Sequence, residues 1–180
     1  MCRLFLIGYM GAGKTTIGRI LAKRRGLDFI DLDLFIESRY QKTIGQIFEE
    51  YGEARFREIE SSVLKEVADF ENVVISTGGG TPCFHNNMEF MNKQGITIYL
   101  KASPVILAGR LAEAKEKRPL IKNKTMDELS NFISENLDVR EPVYNKAHII
   151  FETKDYANRK EVEDDAVYLT GIIDNYLGVI

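Results

Sequence analysis

The chain has 180 residues, of which 44% are hydrophobic and 28% charged, and carries a formal net charge of −3. That is enough chain for one domain with its own core, and no apolar run approaches the roughly 18 residues of a membrane span. The acidic balance argues against a protein whose main task is to neutralise a nucleic-acid backbone.

Taken in order, the apolar run Arg3–Ile7 reads as a strand and leads into Gly8-Tyr-Met-Gly-Ala-Gly-Lys14-Thr15. This is a full match to GxxxxGK[ST], placed after a strand and before a helix. Glycines in such a loop let successive backbone N–H groups curl around phosphate oxygens, and the following helix adds its unpaired amides and positive dipole end. Gly11, Ala12, Gly13, Lys14, Thr15 and Thr16 are therefore the expected contacts of a nucleoside triphosphate. Lys14 is expected at the β- and γ-phosphates, and the Thr15 hydroxyl at a bridging Mg²⁺.

A second strand around Phe29–Ile30 ends in Asp31-Leu-Asp33. Residues two apart on an extended segment project to the same side, so both carboxylates can face the cleft at the strand ends. One can serve the metal through water and the other accept a proton from an attacking hydroxyl, unless one merely caps the next helix. Thr43-Ile-Gly-Gln46 is a capping box that opens a helix, and Phe56, Ile59, Val63 and Val67 follow a helical period. Beside that face, Arg57 and Glu60 stand at i and i+3, within reach of a charge-assisted bond. An arginine so held suits a bidentate contact with a substrate carboxylate, although a surface ion pair has the same spacing. Phe48 and Phe56 can wall a small-molecule pocket or simply pack in the core.

The third strand, Val73–Thr77, ends without an aspartate; Ser76 and Thr77 precede Gly78-Gly79-Gly80. Three glycines there either admit a ligand to the backbone or form a flexible turn. After a fourth strand, Ile96–Leu100, Ser103-Pro104 places a cap before a proline at the first helical position. The segment Ala114–Lys124 carries five basic residues and one acidic one. It predicts an exposed loop in which Arg118, stiffened by Pro119, either closes over the triphosphate as part of a lid or is merely solvated. A second capping box, Thr125-Met-Asp-Glu128, opens a helix that brings Arg140 and Tyr144 before a fifth strand, His148–Phe151. Short apolar runs alternating with helices predict an α/β layered fold with a parallel sheet. With no repeat or linker dividing it, residues 1–180 are expected to form a single domain.

Six of these motifs occur together and in order over nearly the whole chain: the glycine loop Gly8–Thr15, the Asp31/Asp33 pair, "FREIE" at Phe56–Glu60, the triple glycine, "RPL" at Arg118–Leu120 and "REPVYNKA" at Arg140–Ala147. On these the chain resembles shikimate kinase, a family of small P-loop kinases in the nucleoside monophosphate kinase superfamily. The resemblance implies a three-layer P-loop NTPase fold with five parallel strands ordered 2-3-1-4-5, a substrate-binding helical region at about 32–62 and a lid at about 112–125. It also implies that ATP, with Mg²⁺, phosphorylates the 3-hydroxyl of shikimate, a step toward chorismate and the aromatic amino acids.

By position, the resemblance assigns shikimate to Asp33, Arg57, Gly78, Gly79, Gly80 and Arg140, with Phe48, Phe56 and Glu60 beside them. Arg57 and Arg140 share the carboxylate, and Glu60 orients Arg57. Lys14 and Arg118 stabilise the transferring group, Asp33 is the catalytic carboxylate, Thr15 ligates Mg²⁺, Asp31 supports it through water and Ser76 holds a metal-bound water. Two stretches depart from the family pattern: "AEAKEKRPLIKNK" has no glycine, and "TKDYANRKEVEDD" does not align with the arginine that approaches adenine, which leaves Arg110 and Arg159 as candidates. The alternatives are a gluconate or nucleoside monophosphate kinase, or a nucleotide-switched binding module; no guanine-reading NKxD motif is present. Cys2 and Cys83 lack metal-ligand spacing, and the N-terminal apolar stretch runs into a glycine loop instead of a cleavage site. A cytoplasmic monomer without nucleic-acid or membrane partners is the expectation.

Overall fold

The computed structural model describes residues 2–112 and 125–178; Arg118 and the expected lid beyond Ala112 lie outside the described residues. Five strands run as β1 Arg3–Ile7, β2 Asp28–Asp31, β3 Val73–Ser76, β4 Ile96–Lys101 and β5 Ile149–Glu152. All neighbours are parallel and the order is β2-β3-β1-β4-β5, as the family resemblance implies. Helices must cover both faces of such a sheet, which is why Leu4, Phe5, Leu6 and Ile7 of the central strand are all fully buried. At the edge, β5 alternates instead: Ile149 and Phe151 point inward and Ile150 is exposed.

The helices are α1 Lys14–Arg25, α2 Leu32–Tyr40, α3 Ile44–Val67, α4 Asn87–Gln94, α5 Pro104–Ala112, α6 Met126–Tyr144 and α7 Arg159–Leu177, with a short 3-10 turn at Thr81–Cys83. Both capping boxes form, Thr43 with Gln46 and Thr125 with Glu128. The Ser103 hydroxyl accepts the Ile106 N–H at 3.3 Å ahead of α5, as its position before Pro104 predicts. No helix among the described residues is long and apolar enough to cross a membrane.

Two glycines shape the scaffold around the cleft. Gly52 interrupts α3 at φ 75°, ψ 169°, a conformation open essentially only to glycine. In an unbroken helix, Phe48 and Phe56 would be about 12 Å apart along the axis; across the break their ring centroids are 4.3 Å apart. Gly18 lies where α1 meets the sheet: a Cβ there would be 2.6 Å from the Phe29 ring and 2.9 Å from Leu6. Strand register then sets the floor of the cleft. Ser76 pairs with Asp31 on one side and Leu6 on the other, so the ends of β2, β3 and β1 form one row beside the glycine loop, where the strand order reverses.

Gly18→Ala is expected to lower stability by about 1–3 kcal/mol through overpacking, despite alanine's better helix propensity. Gly171→Ala in α7, where a Cβ meets nothing within 4 Å, should raise it by up to about 1 kcal/mol. Urea unfolding of the two variants beside wild type measures both shifts.

Candidate active site

The glycine loop takes the conformation its composition demands. Gly8, Gly11 and Gly13 have φ values of 138°, 83° and 96°, and the Cβ of any other residue at Gly8 would be 2.7 Å from the Leu100 carbonyl oxygen. Gly13 precedes α1 without contributing a side-chain cap, and the first turn holds no acidic residue, so the helix presents its positive end to the cleft. Lys14 is 9% exposed; its ammonium donates to the carbonyls of Gly8 at 2.8 Å and Tyr9 at 2.9 Å. The Thr15 hydroxyl donates to Asp31 Oδ2 at 2.8 Å, while Asp31 Oδ1 accepts the Leu34 N–H at 3.4 Å. Asp31 thus caps α2 with one oxygen and accepts from Thr15, the residue expected at the metal, with the other. Ala12 is buried, and its N–H closes a turn onto Tyr9 O at 3.1 Å instead of facing the cleft.

The cleft itself has a volume of about 430 Å³ and runs from the loop to Asp31, Asp33, Ser76 and Gly79 on one side and to Arg110, Tyr156 and Val162 on the other. Arg110 donates to Gly11 O at 3.1 Å and to Lys154 O, and its guanidinium lies 5.0 Å over the Tyr156 ring. Tyr156 is held in turn by Asp165 at 3.0 Å. Arg159 does not line the cleft: its side chain is 87% exposed and pairs with Glu163 along α7. Of the two arginines considered for the base, the structure brings only Arg110 to the loop. The sequence motifs do not single out Tyr156 or Val162; Tyr156 lies in the stretch that departs from the family pattern, where its aromatic ring is the available signal.

On the acceptor side, Gly78 and Gly80 make room for the protein's own charged groups. A Cβ on Gly78 would be 2.9 Å from Asp33 Oδ1 and 3.0 Å from Glu60 Oε1; one on Gly80 would be 2.7 Å from Arg57 Nη1; one on Gly79 would be 3.6 Å from Arg140 Nη1. Asp33, Arg140 and Arg57 therefore converge on three successive residues. Gly80 has an ordinary φ of −85°, so space and not backbone freedom makes it glycine. Arg57 is pinned from several directions: Glu60 Oε2 accepts from Nη1 at 2.9 Å, Glu53 accepts from Nε and Nη2, and the Phe84, Phe56 and Phe48 rings lie 4.3, 5.2 and 5.6 Å from the guanidinium. Gly78 and Gly79 line the cleft, whereas Gly80, Arg57 and Arg140 stand outside its lining; Phe48, Phe56 and the fully buried Glu60 lie outside it too and act on Arg57. Arg140 lies 5.4 Å over the Tyr9 ring, and the Tyr144 hydroxyl donates to Gly79 O.

The carboxyl group of Asp33 is pushed up to about 6, chiefly because burial disfavours its charge, with Glu60, Asp31 and Glu37 adding repulsion and Lys14 opposing. A carboxylate poised near neutrality beside a phosphate loop can accept a proton at physiological pH.

The family model described as shikimate kinase matches residues 10–169. The shikimate kinase of Parabacteroides distasonis is 56% identical over 164 residues, which is 91% of this chain and 95% of the relative. Among solved structures, the shikimate kinase of Bacteroides thetaiotaomicron is similar with a TM-score of 0.92 at 49% identity, over 96% of this chain and 98% of the other. The shikimate kinase of Acinetobacter baumannii, solved in complex with shikimate, gives a TM-score of 0.84 at 35% identity, over 98% of this chain and 94% of the other. The chain belongs to the shikimate kinase family.

Proposed function

We propose that the chain transfers the γ-phosphoryl group of ATP to the 3-hydroxyl of shikimate, yielding shikimate 3-phosphate and ADP. The observation that carries this reading is the convergence of Asp33, Arg140 and Arg57 on Gly78–Gly80, beside a phosphate loop. Two guanidinium groups suit the substrate carboxylate, and the carboxylate of Asp33 suits a ring hydroxyl. A nucleoside monophosphate acceptor would need a base-stacking surface, whereas the rings around Arg57 are engaged with its guanidinium.

In-line phosphoryl transfer leaves the protein mostly positioning and charge stabilisation to perform. The loop amides and the N-terminus of α1 hold the phosphates, Lys14 moves from its carbonyl partners onto the β- and γ-phosphate oxygens, and Arg118 adds charge to the transferring group. Arg110 and Tyr156 flank the base. Asp33 orients the 3-hydroxyl and takes its proton as the new bond forms. The oxygen donors at Thr15, Asp31 and Ser76, adjacent at the strand ends, fit Mg²⁺, which keeps several waters and binds mainly through phosphates. Bound there, it would neutralise charge on the β- and γ-phosphates. We read the working unit as a cytoplasmic monomer, consistent with its two free cysteines and net negative charge; gel filtration under reducing conditions checks the monomer.

The direct test is ADP formation from Mg-ATP with shikimate, gluconate or nucleoside monophosphates offered separately. Turnover with shikimate alone is expected; turnover only with another acceptor, or none, overturns the proposal. Lys14→Ala should lower kcat by about 10²-fold or more. Gly80→Ala should displace the Arg57 guanidinium and so weaken its pairing with the buried Glu60, which lowers Tm while the chain still folds. It should raise the KM for shikimate about tenfold, the same direction as expected for Arg57→Ala.

Asp33 gives a pH-dependent prediction for the ligand-free protein. Its folded value, about 6, lies above its ordinary value of 3.8, so the native state is penalised once the group ionises. The penalty is absent below about pH 4 and complete above about pH 7. Asp33→Asn should therefore gain stability relative to wild type across this interval, by on the order of 1–3 kcal/mol in urea unfolding, while losing turnover.

A further inference from the structure

A run of buried polar groups leads through Glu60 to Arg57. Ser61 Oγ donates to Asn87 Oδ1 at 2.8 Å, Asn87 Nδ2 donates to the Thr81 carbonyl at 2.9 Å, and Thr81 Oγ1 donates to Glu60 Oε1 at 2.6 Å. Glu60 then accepts from Arg57. The side chains of Ser61, Asn87, Thr81 and Glu60 are all at least nine-tenths buried. A buried carboxylate costs free energy unless its oxygens are satisfied, and here each oxygen has one donor: Arg57 on Oε2 and Thr81 on Oε1. The direction of donation is forced at Thr81, because an ionised carboxylate only accepts.

The same segment grips Arg57 twice. The Asn87 amide ties the end of the segment back to the Thr81 carbonyl, closing residues 81–87 into a loop. That loop carries Thr81, which holds Glu60, and Phe84, whose ring faces the guanidinium at 4.3 Å. Glu53, the other carboxylate on Arg57, is 61% exposed and holds far less firmly.

We propose that Thr81 is a positioning residue for the acceptor: its hydroxyl fixes Glu60, and through Glu60 it fixes the Arg57 guanidinium that binds the shikimate carboxylate. This role rests on the acceptor assignment above. Without the hydroxyl, Glu60 Oε1 loses its donor and the carboxylate turns toward another, so Arg57 enters the binding step unoriented. The loss of one hydrogen bond to a charged group corresponds to about a tenfold or larger change in an equilibrium constant.

The test compares Thr81→Val, Thr81→Ala and Thr81→Ser with wild type by steady-state kinetics and thermal unfolding. Thr81→Val is near in shape but sets a methyl against Glu60, while Thr81→Ala removes the hydroxyl with no such crowding. The expected result is a rise of about tenfold in the KM for shikimate in both, with the KM for ATP within about twofold and kcat within about threefold of wild type. Thr81→Ser, which keeps the donor, should recover most of the shikimate KM. An unchanged shikimate KM in Thr81→Ala, an equal rise in both KM values, or a Thr81→Ser variant as impaired as Thr81→Ala overturns the role of Thr81. A wild-type chain without shikimate-dependent turnover overturns the acceptor assignment itself, a result distinct from all of these.

Discussion

The hydrogen bond from the Thr15 hydroxyl to Asp31 Oδ2 joins the two halves of the cleft. Thr15 lies in the first turn of α1, directly after the glycine loop, while Asp31 ends β2 and caps α2. Once this bond and the cap are made, Asp33 sits in the first turn of α2 and enters the cleft a fixed distance from the phosphate loop. The register of β2 on β3 supports the arrangement, because Asp31 pairs with Ser76 and Ser76 leads directly into the three glycines. Donor and acceptor halves are therefore set against each other by the strand ends.

Charge balance is the second constraint. Asp31, Asp33 and Glu60 crowd one side of the site, and Lys14, Arg57 and Arg140 answer them. Glu60 is fully buried and doubly bonded, to Arg57 and Thr81; among the described residues Asp33 has no comparable partner, and burial, with repulsion from Glu60 and Asp31, pushes it toward neutrality. Of the two carboxylates, Glu60 is thus committed to Arg57 and Thr81, while Asp33 stays open to the cleft. The division depends on Gly78, which leaves both close to the backbone.

A shared principle explains the glycines. At Gly8, Gly11 and Gly13 the backbone conformation itself demands glycine, whereas at Gly18, Gly78 and Gly80 the dihedrals are ordinary and the neighbouring atoms demand it. Composition alone does not separate these two causes. The expectation that the triple glycine exposes backbone to a ligand leaves out one reason for glycine here: the space a Cβ would take at Gly78 and Gly80 is occupied by Asp33, Glu60 and Arg57.

The linear sequence determined the strands, their parallel character, both capping boxes and the phosphate loop, because each is written in residues close together in the chain and obeys local geometry. The Arg57–Glu60 pair was legible for the same reason, being one helical turn apart. Tertiary structure alone decided which arginine reaches the nucleotide side, Arg110 on α5 or Arg159 on α7, since helix packing and not spacing turns one toward the loop and the other to solvent. It also decided that Phe48 meets Phe56, which required the break at Gly52, and that Thr81 and Asn87 reach Glu60 and Ser61 across more than 20 residues. Those contacts join segments brought together by the sheet, and burial gives them their strength.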